Sequence, residues 1–104
     1  MTEDEHYLVC LAEECTEVGQ RVAKALRFGL DEIQRDQPLN NAERILDEFH
    51  DLFAVAAILQ ARGVLGHIIP TTDRILAKRL KIERFMTISR AQGVLADANS
   101  KEGE

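Results

Sequence analysis

The sequence predicts an all-α fold, and three observations carry that prediction. Apolar residues recur at helical spacing in three separate stretches, helix-capping signals open those stretches, and no segment sustains the period-2 alternation a strand requires. Thr2 and Glu5 have capping-box spacing, and Leu8, Leu11, Cys15, Val18, Val22 and Ala25 follow in alternating steps of three and four up to Gly29. This is one long amphipathic helix. From Gly29 to about Asn40 the composition turns polar, with Pro38 and the pair Asn40-Asn41. Asn40 and Glu43 repeat the cap spacing and open a second helix that runs to about Arg62. Gly63 and Gly66 break the pattern, and Pro70-Thr71-Thr72-Asp73 is a fresh helix start. A third helix carries Ile75, Leu76, Leu80, Ile82, Phe85, Met86 and Ile88 towards Gly93. Residues 1–96 read as a single helical domain and 97–104 as a flexible C-terminal tail.

With 104 residues and 45% hydrophobic content, the chain has apolar surface for one core. The second helix strains that core. Ile45, Phe49, Leu52, Ala56 and Leu59 cover one side, while Val55 and Ile58 make the other apolar too. Three helices from one chain hardly enclose it, so the bundle is expected to be completed by oligomerisation, as a homodimer or homotetramer. A net charge of -5 argues against a nucleic acid polymer as partner. The charge is segregated, however. Residues 1–51 hold thirteen acids and five bases, whereas residues 74–90 hold six bases and the single acid Glu83. The longest apolar run, Leu52 to Leu59, falls far short of the roughly 20 residues a bilayer span needs, and Glu3-Asp4-Glu5 is the opposite of a signal-peptide start. No membrane partner and a cytoplasmic location are the expectation. Cys10 and Cys15 sit about 140° apart around the first helix and are expected as reduced, mostly buried thiols.

The carboxylates are the informative feature. Helix one contains Glu13-Glu14-x-x-Glu17 and helix two contains Asp47-Glu48-x-x-Asp51, the same acidic pattern at the same spacing. Residues three apart lie about 60° apart on a helix, near enough for Glu14 with Glu17, or Glu48 with Asp51, to share one cation. Glu14 lies beside the Leu11–Val18 stripe, and Glu48 and Asp51 share a side with Val55 and Ile58. Carboxylates held beside apolar surface need a compensating positive charge, and four of them facing one another suit a hard divalent cation such as Mg²⁺. Bundle di-iron sites use Glu-x-x-His on two helices, and Asp47-x-x-His50 is the sole approximation here. The competing reading is a solvated acidic helix face.

This arrangement resembles the MazG-like family of all-α nucleoside triphosphate pyrophosphohydrolases, with Glu-x-x-Glu on one helix and Glu-x-x-Asp on the next. Here these read Glu14-Cys15-Thr16-Glu17 and Glu48-Phe49-His50-Asp51, and the flanking Leu11-Ala12-Glu13, Lys24-Ala25-Leu26-Arg27-Phe28-Gly29 and Leu46-Asp47 are similar to the short, single-domain, phage-type members. The resemblance covers roughly residues 6–90. It implies Mg²⁺-dependent cleavage of a nucleoside triphosphate between the α and β phosphates, giving the monophosphate and pyrophosphate. Glu14, Glu17, Glu48 and Asp51 would hold the metal, and Glu13 or Glu17 would orient or deprotonate the attacking water. Lys81 and Arg84 would contact the phosphates, with Lys78 a third candidate. Arg21, Lys24 and Arg27 are the alternative if helix three is only a solvated face. The polar stretch between Glu17 and Glu48 is either an elaboration over the site or a simple insertion. Tyr7 and Phe28 are candidates for stacking on a base, although core packing is the usual use of such aromatics. His6, His50 and His67 share no metal-ligand spacing.

Two other functions fit the same residues. One is a non-enzymatic oligomeric helical adaptor that binds another protein through its charged faces. The other is a related pyrophosphatase acting on dUTP/dCTP or phosphoribosyl-ATP.

Overall fold

A computed structural model of the chain describes residues 1–98, and they form α1 (Glu3–Phe28), α2 (Asn41–Ala61) and α3 (Thr72–Ala91), with no strand among the described residues. The all-α expectation holds. Each helix opens where its capping signal stands. Thr2 accepts from the Glu5 backbone N–H and Asn40 from that of Glu43, and in both cases the glutamate accepts in return from the backbone N–H of the cap residue. Thr71 accepts from the backbone N–H of Arg74 at 3.2 Å. α1 stops at Gly29, whose φ of 101° is open to glycine and strained for other residues. Residues 99–104 of the expected tail lie outside the described residues.

The chain divides into two units, Met1–Ile68 and Ile69–Glu104. In the first, α1 and α2 pack as an antiparallel hairpin tied at both ends. At the loop end the buried Asn41 side chain donates to Gly29 O at 2.8 Å and to Glu32 Oε1 at 3.1 Å. Backbone bonds from Asn41 to Glu32 and from Ala42 to Leu30, with a single bridge between Ile33 and Asn40, fold the polar stretch into a definite loop. Asp36 turns it with a φ of 65°, a left-handed conformation that Asp tolerates better than most residues. At the open end Arg62 reaches back to Asp4 and, at 3.2 Å, to Glu3, with its guanidinium 5.1 Å from the centre of the Tyr7 ring.

Between these ties runs a seam. On α1, Tyr7, Leu11, Glu14, Val18, Arg21 and Ala25 are buried or half-buried, in alternating steps of four and three. On α2, Asn41, Ile45, Glu48, Leu52, Val55 and Leu59 repeat the same alternation, as expected of two helices in coiled-coil-like contact. Leu59 is fully buried, which stabilises the hairpin by roughly 1.5–3 kcal/mol. The stripe expected on α1 is therefore displaced by one residue at alternate steps. Leu8, Cys15 and Val22 are exposed, and Tyr7, Glu14 and Arg21 take their places in the seam. The cysteines differ accordingly: Cys10 is half-buried, Cys15 is exposed, and both are free. In the second unit no described residue of α3 is buried, and Ile75, Leu76, Leu80, Ile82, Phe85 and Ile88 are all exposed. No described helix is long and apolar enough to cross a membrane.

Asn41→Ala removes both side-chain ties and leaves the Gly29 carbonyl only the longer, 3.4 Å bond from the Glu32 backbone N–H. It is expected to lower stability by about 1–3 kcal/mol, read as a reduced midpoint in urea denaturation, and an unchanged midpoint would show that the loop is not held by this side chain.

Candidate metal centre

The acidic patterns meet across the hairpin. Because α1 and α2 run antiparallel, the middle of α1 faces the middle of α2, and one carboxylate oxygen from each of Glu14, Glu48 and Asp51 comes within 4.8 Å of the others. Glu14 and Glu48 are half-buried seam residues, and Asp51 lies at the exposed edge. Oxygens on opposite sides of an ion bonded at roughly 2.0–2.6 Å are about 4–5 Å apart, so these three need little adjustment to share one cation. Glu14 Oε2 is buried and has no hydrogen-bond partner. A buried carboxylate oxygen without a donor is costly, and a cation is the simplest remedy.

The electrostatics point the same way. The Glu14 carboxyl is pushed above the ordinary carboxylate range, first by desolvation, then by the charges of Asp51, Glu48 and Glu17, and by a hydrogen bond with Glu48. The donor set is all oxygen, which suits Mg²⁺ or another hard divalent ion better than zinc or iron.

Of the four expected ligands, the structure brings together Glu14, Glu48 and Asp51. Glu17 is exposed and outside this close set, yet near enough for its charge to act on Glu14. Glu13 is exposed. On α3, Lys78, Lys81 and Arg84 are all exposed. Lys78 and Lys81 line an open hollow with Arg74 and Ala77, and the Arg84 guanidinium stands 5.7 Å from the centre of the Phe85 ring. The polar loop borders the site: residues 37–39 line a cavity of about 280 Å³ that also includes Glu48. Phe28 lines a neighbouring cavity of about 220 Å³ with Lys24, Glu32, Gln34 and Asn41, while Tyr7 is occupied by Arg62.

Asn41 as a tie, Arg62 as a clamp and Arg21 as a seam residue are not evident from the sequence pattern. The signal for Arg21 was its spacing of seven from Glu14, which puts both on one stripe of α1. Comparison with family models, with curated proteins and with solved structures gives no match.

Because the raised group is an acid, its ionisation costs stability at neutral pH, and that cost vanishes once Glu14 is protonated in both folded and unfolded chains. In metal-free buffer Glu14→Gln should therefore melt higher than wild type at pH 7. The difference should shrink as pH falls through the raised pKa of Glu14 and be gone below the ordinary carboxylate range. Paired thermal melts across this range check it, and a difference that does not vary with pH would contradict the assigned cause.

Proposed function

We propose that this chain is a Mg²⁺-dependent nucleoside triphosphate pyrophosphohydrolase of MazG-like type, acting as a homodimer or homotetramer. One observation carries the reading: Glu14, Glu48 and Asp51, drawn from two acidic motifs far apart in sequence, converge with a buried and unpaired Glu14 oxygen among them. A solvated acidic face would keep such groups apart and wet.

In this reading Glu14, Glu48 and Asp51 hold the metal, with Glu17 able to join at the edge. A bound Mg²⁺ supplies neutralisation of the phosphate charge and polarisation of the P–O bonds. Water adds across the α–β anhydride, giving the monophosphate and pyrophosphate, and its proton passes to a carboxylate. Glu17 suits that task better than Glu13, being both open to water and within electrostatic reach of Glu14. Lys78, Lys81 and Arg84 supply positive charge for a polyanionic substrate, and their exposure leaves them available for it. The oligomer rests on the apolar side chains left exposed, among them Leu46, Phe49 and Ile58 on α2 and Ile75, Leu80 and Phe85 on α3. The same exposed apolar surface favours the second reading, a non-enzymatic adaptor, and the dUTP/dCTP and phosphoribosyl-ATP pyrophosphatases remain alternatives on substrate.

Glu48→Gln keeps the shape and removes a charge. It should abolish pyrophosphate release from nucleoside triphosphates, scored over a panel of canonical and modified nucleotides with Mg²⁺ present, while the protein stays folded. Added Mg²⁺ should raise the wild-type melting temperature, and the increment should shrink in the variant. Full hydrolysis by Glu48→Gln would refute the metal assignment, and the adaptor reading would gain if wild type bound no metal and released no pyrophosphate. Sedimentation at micromolar concentration should show a species larger than the 11.7 kDa chain.

A further inference from the structure

The cavity beside the carboxylates contains a cation without a partner. It is bounded by α1, by residues 37–39 of the loop and by the first turns of α2, and Arg21, Arg44, Asp47 and Glu48 are among its walls. Two guanidinium groups line it, and they differ in their bonding. Arg44 is half-buried and donates from Nη1 to Gln34 Oε1 at 2.8 Å, so its orientation is fixed within the protein. Arg21 is also half-buried, but among the described residues no acceptor takes any of its N–H groups, and its Nη1 is both buried and unpartnered. It forms no ion pair with Asp47 or Glu48, although they line the same cavity.

A guanidinium carries five N–H donors and no acceptor, and leaving them unmet away from water is unfavourable. A seam position is also an unusual place for an arginine, since an apolar residue would pack there at no electrostatic cost. The group that would satisfy Arg21 is an anion with several acceptor oxygens, and a phosphate matches the planar fork of its donors. At about 280 Å³ the cleft has room for a phosphate chain. Asp47 and Glu48 would repel a bare anion, whereas Glu48 also belongs to the cation cluster, so the phosphate enters together with its cation.

We propose that this cavity is the phosphate-chain subsite of the chain's oligophosphate substrate, with Arg21 its principal donor and Arg44 a second. The proposal rests on the metal reading above for the cation that accompanies the phosphate. It places the leading phosphate contact on α1, within the hairpin that holds the carboxylates, and leaves the α3 cations a supporting part.

Isothermal titration of the full chain with Mg²⁺ alone, and with inorganic pyrophosphate in the presence of Mg²⁺ and in EDTA, tests it. Arg21→Met keeps the volume of the stem and removes the donors, while Arg21→Lys keeps the charge and loses the fork. Pyrophosphate affinity should fall roughly 10- to 100-fold in Arg21→Met, the usual loss for hydrogen bonds to a charged group, and by less in Arg21→Lys. The affinity for Mg²⁺ alone should change by no more than about 3-fold, because Arg21 lies outside the close set of carboxylates. Should Arg21→Met bind pyrophosphate as wild type does while Glu48→Gln loses Mg²⁺, the subsite is wrong and the metal centre stands. Should wild type bind no Mg²⁺ alone, the metal centre fails, and the subsite is then supported if binding of pyrophosphate with its Mg²⁺ still depends on Arg21. Absence of pyrophosphate binding by wild type in both buffers overturns the subsite.

Discussion

Everything at the candidate site depends on the antiparallel closure of α1 on α2 along a seam of four-three steps. A purely apolar seam would have given a better-packed hairpin. Here Glu14, Arg21 and Glu48 take three of the twelve positions, and each is a place where a hydrophobic residue would have stabilised the pair. The cost is visible in the scarcity of core: Ala25 and Leu59 are the buried apolar residues of the described chain, and the other buried residue is the polar Asn41.

Among the described residues, the two buried side-chain atoms without a partner, Glu14 Oε2 and Arg21 Nη1, lie on one stripe of α1, two helical turns apart. They carry opposite charge and do not satisfy each other. Between them the hairpin presents an acceptor surplus towards its open end and a donor surplus towards the loop. A metal–phosphate pair has the complementary polarity, the cation at one end and the anionic oxygens at the other. The segregation of charge visible along the whole chain thus has a second, local version inside the first unit, on a scale that total counts of acids and bases conceal.

Helix limits were legible because local chemistry sets them. Thr2, Asn40 and Thr71 cap by bonding to the chain three residues on, and Gly29 ends α1 through its own conformation, so the partner of each is contained in the sequence nearby. The pairing of Glu14 with Glu48 and Asp51 was legible for a different reason: the duplicated spacing stood out on helices otherwise rich in apolar residues. The exact α1 face was not legible. The apolar spacing of Leu8, Cys15 and Val22 points to a face the hairpin leaves exposed, because the seam itself contains the charged residues Glu14 and Arg21. The role of the polar stretch also escaped the sequence. Asn41 acts on Gly29 and Glu32 through a reversal of the chain, and nothing in a polar loop's composition states where its hydrogen bonds go.

The two ends of the hairpin are fastened by different means. At the loop end a buried amide bonds to backbone and side-chain oxygens, an arrangement largely indifferent to salt. At the open end Arg62 holds Glu3 and Asp4 through ion pairs exposed enough to be screened and individually weak. The open end is therefore the salt-sensitive one, and an opening that began there would reach the carboxylate cluster before the arginine-lined cavity. Under the proposed reading, a cation held between α1 and α2 would sit in the path of such an opening, so that ionic strength and divalent metal would act on it in opposite senses, the one loosening the outer fastening and the other arresting the opening halfway along.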